Sequence, residues 1–181
     1  MPYADRYSEA VREGSLELIE ALGGQVHVMP APTTFDVLIE AHKVIYDYEI
    51  YRALEQERGF ADQVSETFKA NMERAATRSE SDYREAQEIH RSACDWFAEF
   101  FNDYDAILTP SAPAEAPPIE SGTGDAVCCV IWTLCGLPCV SLPLLAGELN
   151  LPIGVQMVGA YNEDDRLFRS ARWLLNQLEA D

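Results

Sequence analysis

At Asp105 the texture of the chain changes, and that change limits what the chain can fold into. Upstream lie long stretches of helical period, and downstream lie short apolar runs cut by proline and glycine. Ala106-Ile107-Leu108 is stopped by Thr109-Pro110, Cys139-Val140-Ser141-Leu142 is broken by Pro143, and Ile153-Gly154-Val155-Gln156-Met157-Val158 is bounded by Pro152 and Gly159. Runs this short and apolar read as strands that need cover on both faces. Between the first two, Pro110, Pro113, Pro117 and Pro118 with Gly122 and Gly124 exclude regular structure and indicate an ordered surface loop.

The helical stretches supply the cover. Residues 5 to 22 place Tyr7, Val11, Leu18 and Leu22 on one stripe, with Gly23-Gly24 as the stop. Gln25-Val26-His27-Val28-Met29 alternates polar and apolar up to Pro30, which predicts a short strand. From Thr34 to about Arg58 a longer helix carries Val37, Leu38, Ala41, Ile45 and Tyr48 inward, and Gly59 closes it. A weaker helix is expected over roughly 62 to 76. Another starts at Ser79 or Ser81, where Ser79 and Asp82 have the spacing of an N-terminal cap, with a stripe of Tyr83, Ala86, Ile89, Ala93, Trp96, Phe97 and Phe100. The last, 163 to 179, presents Leu167, Phe168, Ala171, Leu174, Leu175 and Leu178. Strands separated by helices indicate an α/β fold, and neither a repeat nor a linker divides residues 1–181, so one unit is expected.

Charge narrows the partners. Thirty-one acids against 13 bases give a formal charge of -18, which repels nucleic acid and anionic membrane surfaces. No Lys or Arg occurs between Arg91 and Arg166, and Lys43 and Lys69 are the only lysines. No apolar run approaches the roughly 20 residues of a membrane span, and Met1-Pro2-Tyr3-Ala4-Asp5-Arg6 is unlike a signal peptide, so a cytoplasmic location is expected. Five cysteines without framework spacing read as free thiols.

Three segments are specific. They are Asp105 to Pro113 (Asp-Ala-Ile-Leu-Thr-Pro-Ser-Ala-Pro), Trp132 to Pro143 (Trp-Thr-Leu-Cys-Gly-Leu-Pro-Cys-Val-Ser-Leu-Pro) and Leu151 to Gly159 (Leu-Pro-Ile-Gly-Val-Gln-Met-Val-Gly). In this order and at these separations they resemble the C-terminal part of the amidase signature family, most strongly over 104–178. The resemblance implies a mixed sheet flanked by helices, and amide hydrolysis or, in the glutamyl-tRNA amidotransferase A subunit, amide transfer. The family's catalytic groups are a serine nucleophile, a second serine on a cis peptide bond, and a lysine. They belong to a Gly/Ser-rich region N-terminal to everything seen here. By resemblance, Trp132, Thr133, Cys135 and Gly136 form the segment that approaches the acyl pocket, with core packing as the other reading of Trp132. Thr133 stands where family members usually carry Asn.

The residues themselves offer no substitute for that region. Ser121-Gly122-Thr123-Gly124 lacks a nearby base and a strand-to-helix elbow, and reads as connecting loop. Lys43 and Lys69 lie among acids on surface helices, and Glu40, Asp47 and Glu49 read as a solvated helix face. Cys128, Cys129, Cys135 and Cys139 cluster, but His27, His42 and His90 are far upstream, so no metal is expected and buried thiols are the reading. Cys94 and His90 have i, i+4 spacing with no oxyanion hole nearby. Gln156, polar in a buried strand, reads as a structural bracket.

The expectation is therefore the C-terminal portion of an amidase-type C–N hydrolase, inactive alone, with no catalytic residue and no cofactor of its own. Its partner is a complementary N-terminal amidase half or further copies of itself, and a small-molecule amide is a possible ligand. The alternative is a noncatalytic binding or scaffold module derived from the amidase fold.

Overall fold

The strand bounded by Pro152 and Gly159 becomes the centre of the sheet. A computed structural model of the protein describes residues 4–179; the first three residues of the N-terminal stretch read above lie outside them. Strand β1 is Ile107–Pro110, β2 is Cys139–Ala146 and β3 is Pro152–Val158. Their order is β1-β3-β2, and both pairings are antiparallel.

Register puts Leu108, Met157 and Val140 in one cross-strand row and Pro110, Val155 and Leu142 in the next. That face packs on two helices, α1 (Glu9–Leu22) and α7 (Asp164–Leu178), in a cluster of Leu18, Leu22, Val155, Met157, Leu167, Ala171 and Leu174. Burial of each large aliphatic side chain there contributes roughly 1.5–3 kcal/mol. Gly14 lets α1 approach β2, since a Cβ on it would lie 2.8 Å from Leu145 Cδ2.

Pro143 does not end β2. The strand runs on to Ala146 through an irregularity between Leu142 and Leu145, because an edge strand with a bulge tolerates a residue without an N–H. The strand expected over 25–29 is not formed. Residues 23–25 make a 3-10 turn and the chain continues without regular structure; Val26 packs against the core cluster, Val28 is 70% exposed, and no strand among the described residues pairs with the segment. Helix α1 starts at Glu9 because the Ser8 hydroxyl accepts from Val11 N–H.

The chain gathers into two compact units, one of residues up to Thr33 with Trp96 onward, the other Thr34–Asp95. The second contains α2 (Phe35–Ala53), the short α3 (Glu55–Arg58), α4 (Glu66–Ala75) and the first part of α5 (Glu80–Asp103). Ser79 and Asp82 cap α5 reciprocally, each side chain bonding the other's N–H, as their spacing predicts. Val37 is 49% exposed rather than inward, and the buried face is Phe35, Leu38, Ala41, Asp47 and Tyr48.

Asp47 corrects the reading of a solvated acidic face. It is 1% exposed and accepts from Arg74 and Arg78, the closest contact being Arg74 Nη2 at 2.8 Å. Burial alone would raise its carboxyl, but hydrogen bonds from Arg74 and Arg78 and their charges outweigh that and hold it below the ordinary range. Helix periodicity could not show this, since the cations come from 27 and 31 residues downstream. A carboxylate depressed in the folded state adds stability above its unfolded value of about 3.9, and that stability is lost as pH falls through the folded value. Asp47→Asn should cost about 1.5–3 kcal/mol at pH 7 by chemical denaturation, in line with charged hydrogen bonds, and the deficit should shrink toward zero in strong acid. In the sheet-bearing unit, Leu174→Ala should cost about 2–5 kcal/mol, whereas Phe168→Ala, on the exposed flank of α7, should change stability by less than about 1 kcal/mol.

Candidate functional site

The other face of the sheet carries the polar residues. Thr109, Gln156 and Ser141 form one cross-strand row there, and Ile107, Val158 and Cys139 the next. Thr109, Gln156 and Val158 are buried, whereas Ser141 and Cys139 on the outer strand are exposed.

Helix α6 (Val127–Leu134) bears on the buried part. Gln156 Nε2 donates to the Cys128 carbonyl of this helix at 2.7 Å and to the Pro110 carbonyl at 3.1 Å. The side chain thus ties β3 to α6 and to the end of β1, as a buried amide must find partners.

The periodicity reading missed α6, since Val-Cys-Cys-Val-Ile-Trp-Thr-Leu is apolar all round and rich in β-branched residues. Its ends carried the usable signals. The Asp125 carboxylate accepts from Val127 N–H at 2.9 Å and also pairs with Arg6 at 2.9 Å. At the other end Gly136 has φ +64°, with Gly136 N–H bonded to the Thr133 carbonyl and Leu137 N–H to the Trp132 carbonyl. That pair of bonds is a Schellman stop, which favours glycine.

The four residues assigned to the acyl-pocket segment therefore divide. Trp132 is 4% exposed and meets Phe97 edge-to-face at 5.7 Å, and Cys135 is equally buried. Thr133 and Gly136 are at the surface, where a Cβ on Gly136 would lie 3.4 Å from the exposed Tyr161 ring.

The same sheet face holds a second group, of which the sequence reading left Ser111 in the loop and placed Ser141 in a strand. Ser111 N–H donates to the Gly154 carbonyl at 2.7 Å, which extends the β1–β3 pairing by one bond. Its hydroxyl is then 2.6 Å from the Ser141 hydroxyl. Gly154 leaves the room for both, since a Cβ there would sit 2.4 Å from Ser141 Oγ and 2.7 Å from Ser111 Oγ. Cys129 Sγ lies 3.8 Å from the Ser111 carbonyl. Glu115 anchors the proline-rich loop by accepting from Leu149 and Leu151 N–H in the β2–β3 turn.

Cys128 and Cys139 are not activated nucleophiles. Burial raises Cys128 to about 11, partly offset by the Tyr7 hydroxyl, and burial with the nearby Cys129 raises Cys139 to about 11. Cys139 has an open residue surface, but its sulfur lies 3.6 Å from the Leu137 carbonyl. A thiol in that range is protonated at neutral pH and attacks slowly. The lysines of the other unit pair locally, Lys43 with Glu40 at 2.9 Å and Lys69 with Glu66 at 2.7 Å. Glu49 accepts from the Tyr83 hydroxyl.

An antiparallel three-stranded sheet with α1 and α7 on one face and a glycine-stopped helix on the other is a small α/β arrangement. A crystal structure described as that of an amidase superposes with TM-score 0.83 at 25% identity, covering 95% of this chain and 43% of that one. The A subunit of glutamyl-tRNA(Gln) amidotransferase from Thermotoga maritima gives TM-score 0.64 at 27% identity, covering 91% of this chain and 38% of that one.

The family described as Amidase matches residues 10–168, and the chain belongs to it. The A subunit of glutamyl-tRNA(Gln) amidotransferase from Rubrobacter xylanophilus is 32% identical over 136 residues, covering 69% of this chain and 27% of that protein. Its counterpart in Orientia tsutsugamushi strain Boryong is 37% identical over 93 residues, covering 48% of this chain and 19% of that protein. The chain thus spans about a quarter or less of the length of these curated relatives. Among the described residues no helix is long and apolar enough to cross a membrane.

Gln156→Leu should remove the donor that ties β3 to α6 and to the end of β1, at a cost of about 0.5–1.5 kcal/mol for each lost hydrogen bond, read as a lowered denaturation midpoint. Gly136→Ala should cost roughly 1–2 kcal/mol through its left-handed backbone.

Proposed function

We propose that this chain is the C-terminal portion of an amidase-type C–N hydrolase, without the Ser–cisSer–Lys region, and inactive alone. One observation carries the reading: the amidase fold covers 95% of this chain while the chain covers 43% of that amidase. The chemistry of its residues agrees. A serine hydrolase needs a hydroxyl beside a base and an oxyanion hole. Ser111 and Ser141 face one another at 2.6 Å, and both lysines are paired to glutamates of their own helices.

On this reading residues 1–181 act as one portion of an amidase domain, and the acyl pocket is shared. Thr133 and Gly136 contribute exposed wall, and Trp132 and Cys135 hold that wall from the core side. A complementary N-terminal amidase half is the partner, a small amide the ligand and the cytoplasm the setting.

Incubation of the purified chain with simple aliphatic and aryl amides, and with a serine-reactive fluorophosphonate, tests the inactivity. The expected result is no turnover above buffer and no labelled serine by intact mass. Stoichiometric labelling of one serine or appreciable amide hydrolysis would overturn it.

A further inference from the structure

We infer that the outer surface of the α1–α7 layer is a self-complementary face on which a second copy of this chain docks, with α1 of each copy laid on α7 of the other. The inference goes beyond the proposed function, since it concerns how copies of the chain meet and holds whatever they hydrolyse. Both helices belong to the sheet-bearing unit and turn a buried stripe toward the sheet: Val11, Ser15, Leu18 and Leu22 on α1, and Leu167, Ala171 and Leu174 on α7. At 3.6 residues per turn, Glu13, Leu16 and Glu20 fall opposite the first stripe, and Arg169 and Arg172 opposite the second with Phe168 on its flank. All six are exposed, Leu16 and Phe168 by more than half. The sheet lies on the other side of this layer, so whatever covers these residues stands outside the helix-on-sheet packing.

Charge selects the occupant. The outer side of α1 is acidic and that of α7 is basic, in a chain whose acids outnumber its bases by 31 to 13. Among the described residues, neither Glu13 and Glu20 nor Arg169 and Arg172 form ion pairs within the chain, whereas Arg166 on the same helix is held by Asp105 and Glu163. A two-fold interface presents the same patch from both copies, so the patch must be its own complement. An axis running along the seam between α1 and α7 sets the glutamates of each copy over the arginines of the other, twice in one interface. The same rotation lays Leu16 toward the flank that carries Phe168, which supplies an apolar centre between the charges. An axis across the seam would set α1 on α1 and acid on acid, which repulsion opposes. The formal charge of -18 repels a second copy at long range. In physiological salt, charges more than about 8 Å apart are largely screened, and the contact pairs remain.

Sedimentation equilibrium of the full 181-residue chain in physiological salt reads the association, beside two charge-reversed variants. One carries Glu13→Arg with Glu20→Arg and the other Arg169→Glu with Arg172→Glu. Denaturation midpoints taken at a dilution where the parent is monomeric confirm that both fold. The expected result is a monomer–dimer equilibrium in the micromolar range, weakened at least about tenfold in each variant by itself. Mixing the two variants in equal amounts should restore it, because basic α1 then meets acidic α7 at one contact while the native pairing persists at the other. Phe168→Ala should weaken the dimer while leaving the monomer's midpoint near that of the parent. A parent chain that stays monomeric throughout the micromolar range would overturn the inference. So would a dimer indifferent to both reversals, or one that the mixture fails to restore, since the contact would then lie elsewhere. The N-terminal portion of the Rubrobacter xylanophilus protein, ending where its match to this chain begins, serves as competitor. Dissociation of the dimer by that portion, with its binding lost in both variants, would give the face to that portion in place of a second copy.

Discussion

The sheet-bearing unit depends on β3 being paired along both edges. Among the described residues, neither β1, with four residues, nor β2, with its irregularity at Pro143, has a second strand to hold it. A hairpin alone is marginal in water, and a third strand with cover is the least that makes a stable sheet. The cover follows from β3's alternation: Val155 and Met157 enter the core with α1 and α7, and Gln156 turns the other way to bind α6 and β1. A single polar side chain at the centre of a buried strand thus fixes where the second layer sits.

This division explains why half of one face is finished and half is open. Over β1 and β3 the amide of Gln156 and the capped helix close the surface. Over β2 Ser141 and Cys139 are exposed, while the Ser111 and Ser141 hydroxyls fill the space above Gly154. Belonging to the amidase family while spanning about a quarter or less of those curated relatives, the chain has the form expected of one contributor to a larger domain. The glycine that stops α6 brings backbone to the surface beside the exposed Tyr161 ring.

The strands and long helices were legible because their signals are local. Proline and glycine bracket β3, Ser79 and Asp82 cap α5, and Gln156 could be read as a bracket from polarity in an apolar run alone. What failed needed partners remote in sequence. Residues 25–29 alternate like a strand but pair with no strand among the described residues, so only Val26 reaches the core and the rest is an irregular connection. Asp47 looks like any acid on an acidic helix until Arg74 and Arg78 reach it from elsewhere in the chain. Helix α6 lacks periodicity because it is apolar all round, yet Asp125 and Gly136 marked its two ends. The Ser111–Ser141 contact was invisible because it depends on the register of three strands.

The measurement that bears most directly on the account is amide turnover in a mixture of this chain with the N-terminal portion of the Rubrobacter protein, titrated at constant concentration of that portion. The account predicts turnover that rises with added chain and saturates near one equivalent, with neither component active by itself. Turnover in the mixture no greater than that of the N-terminal portion alone would contradict it.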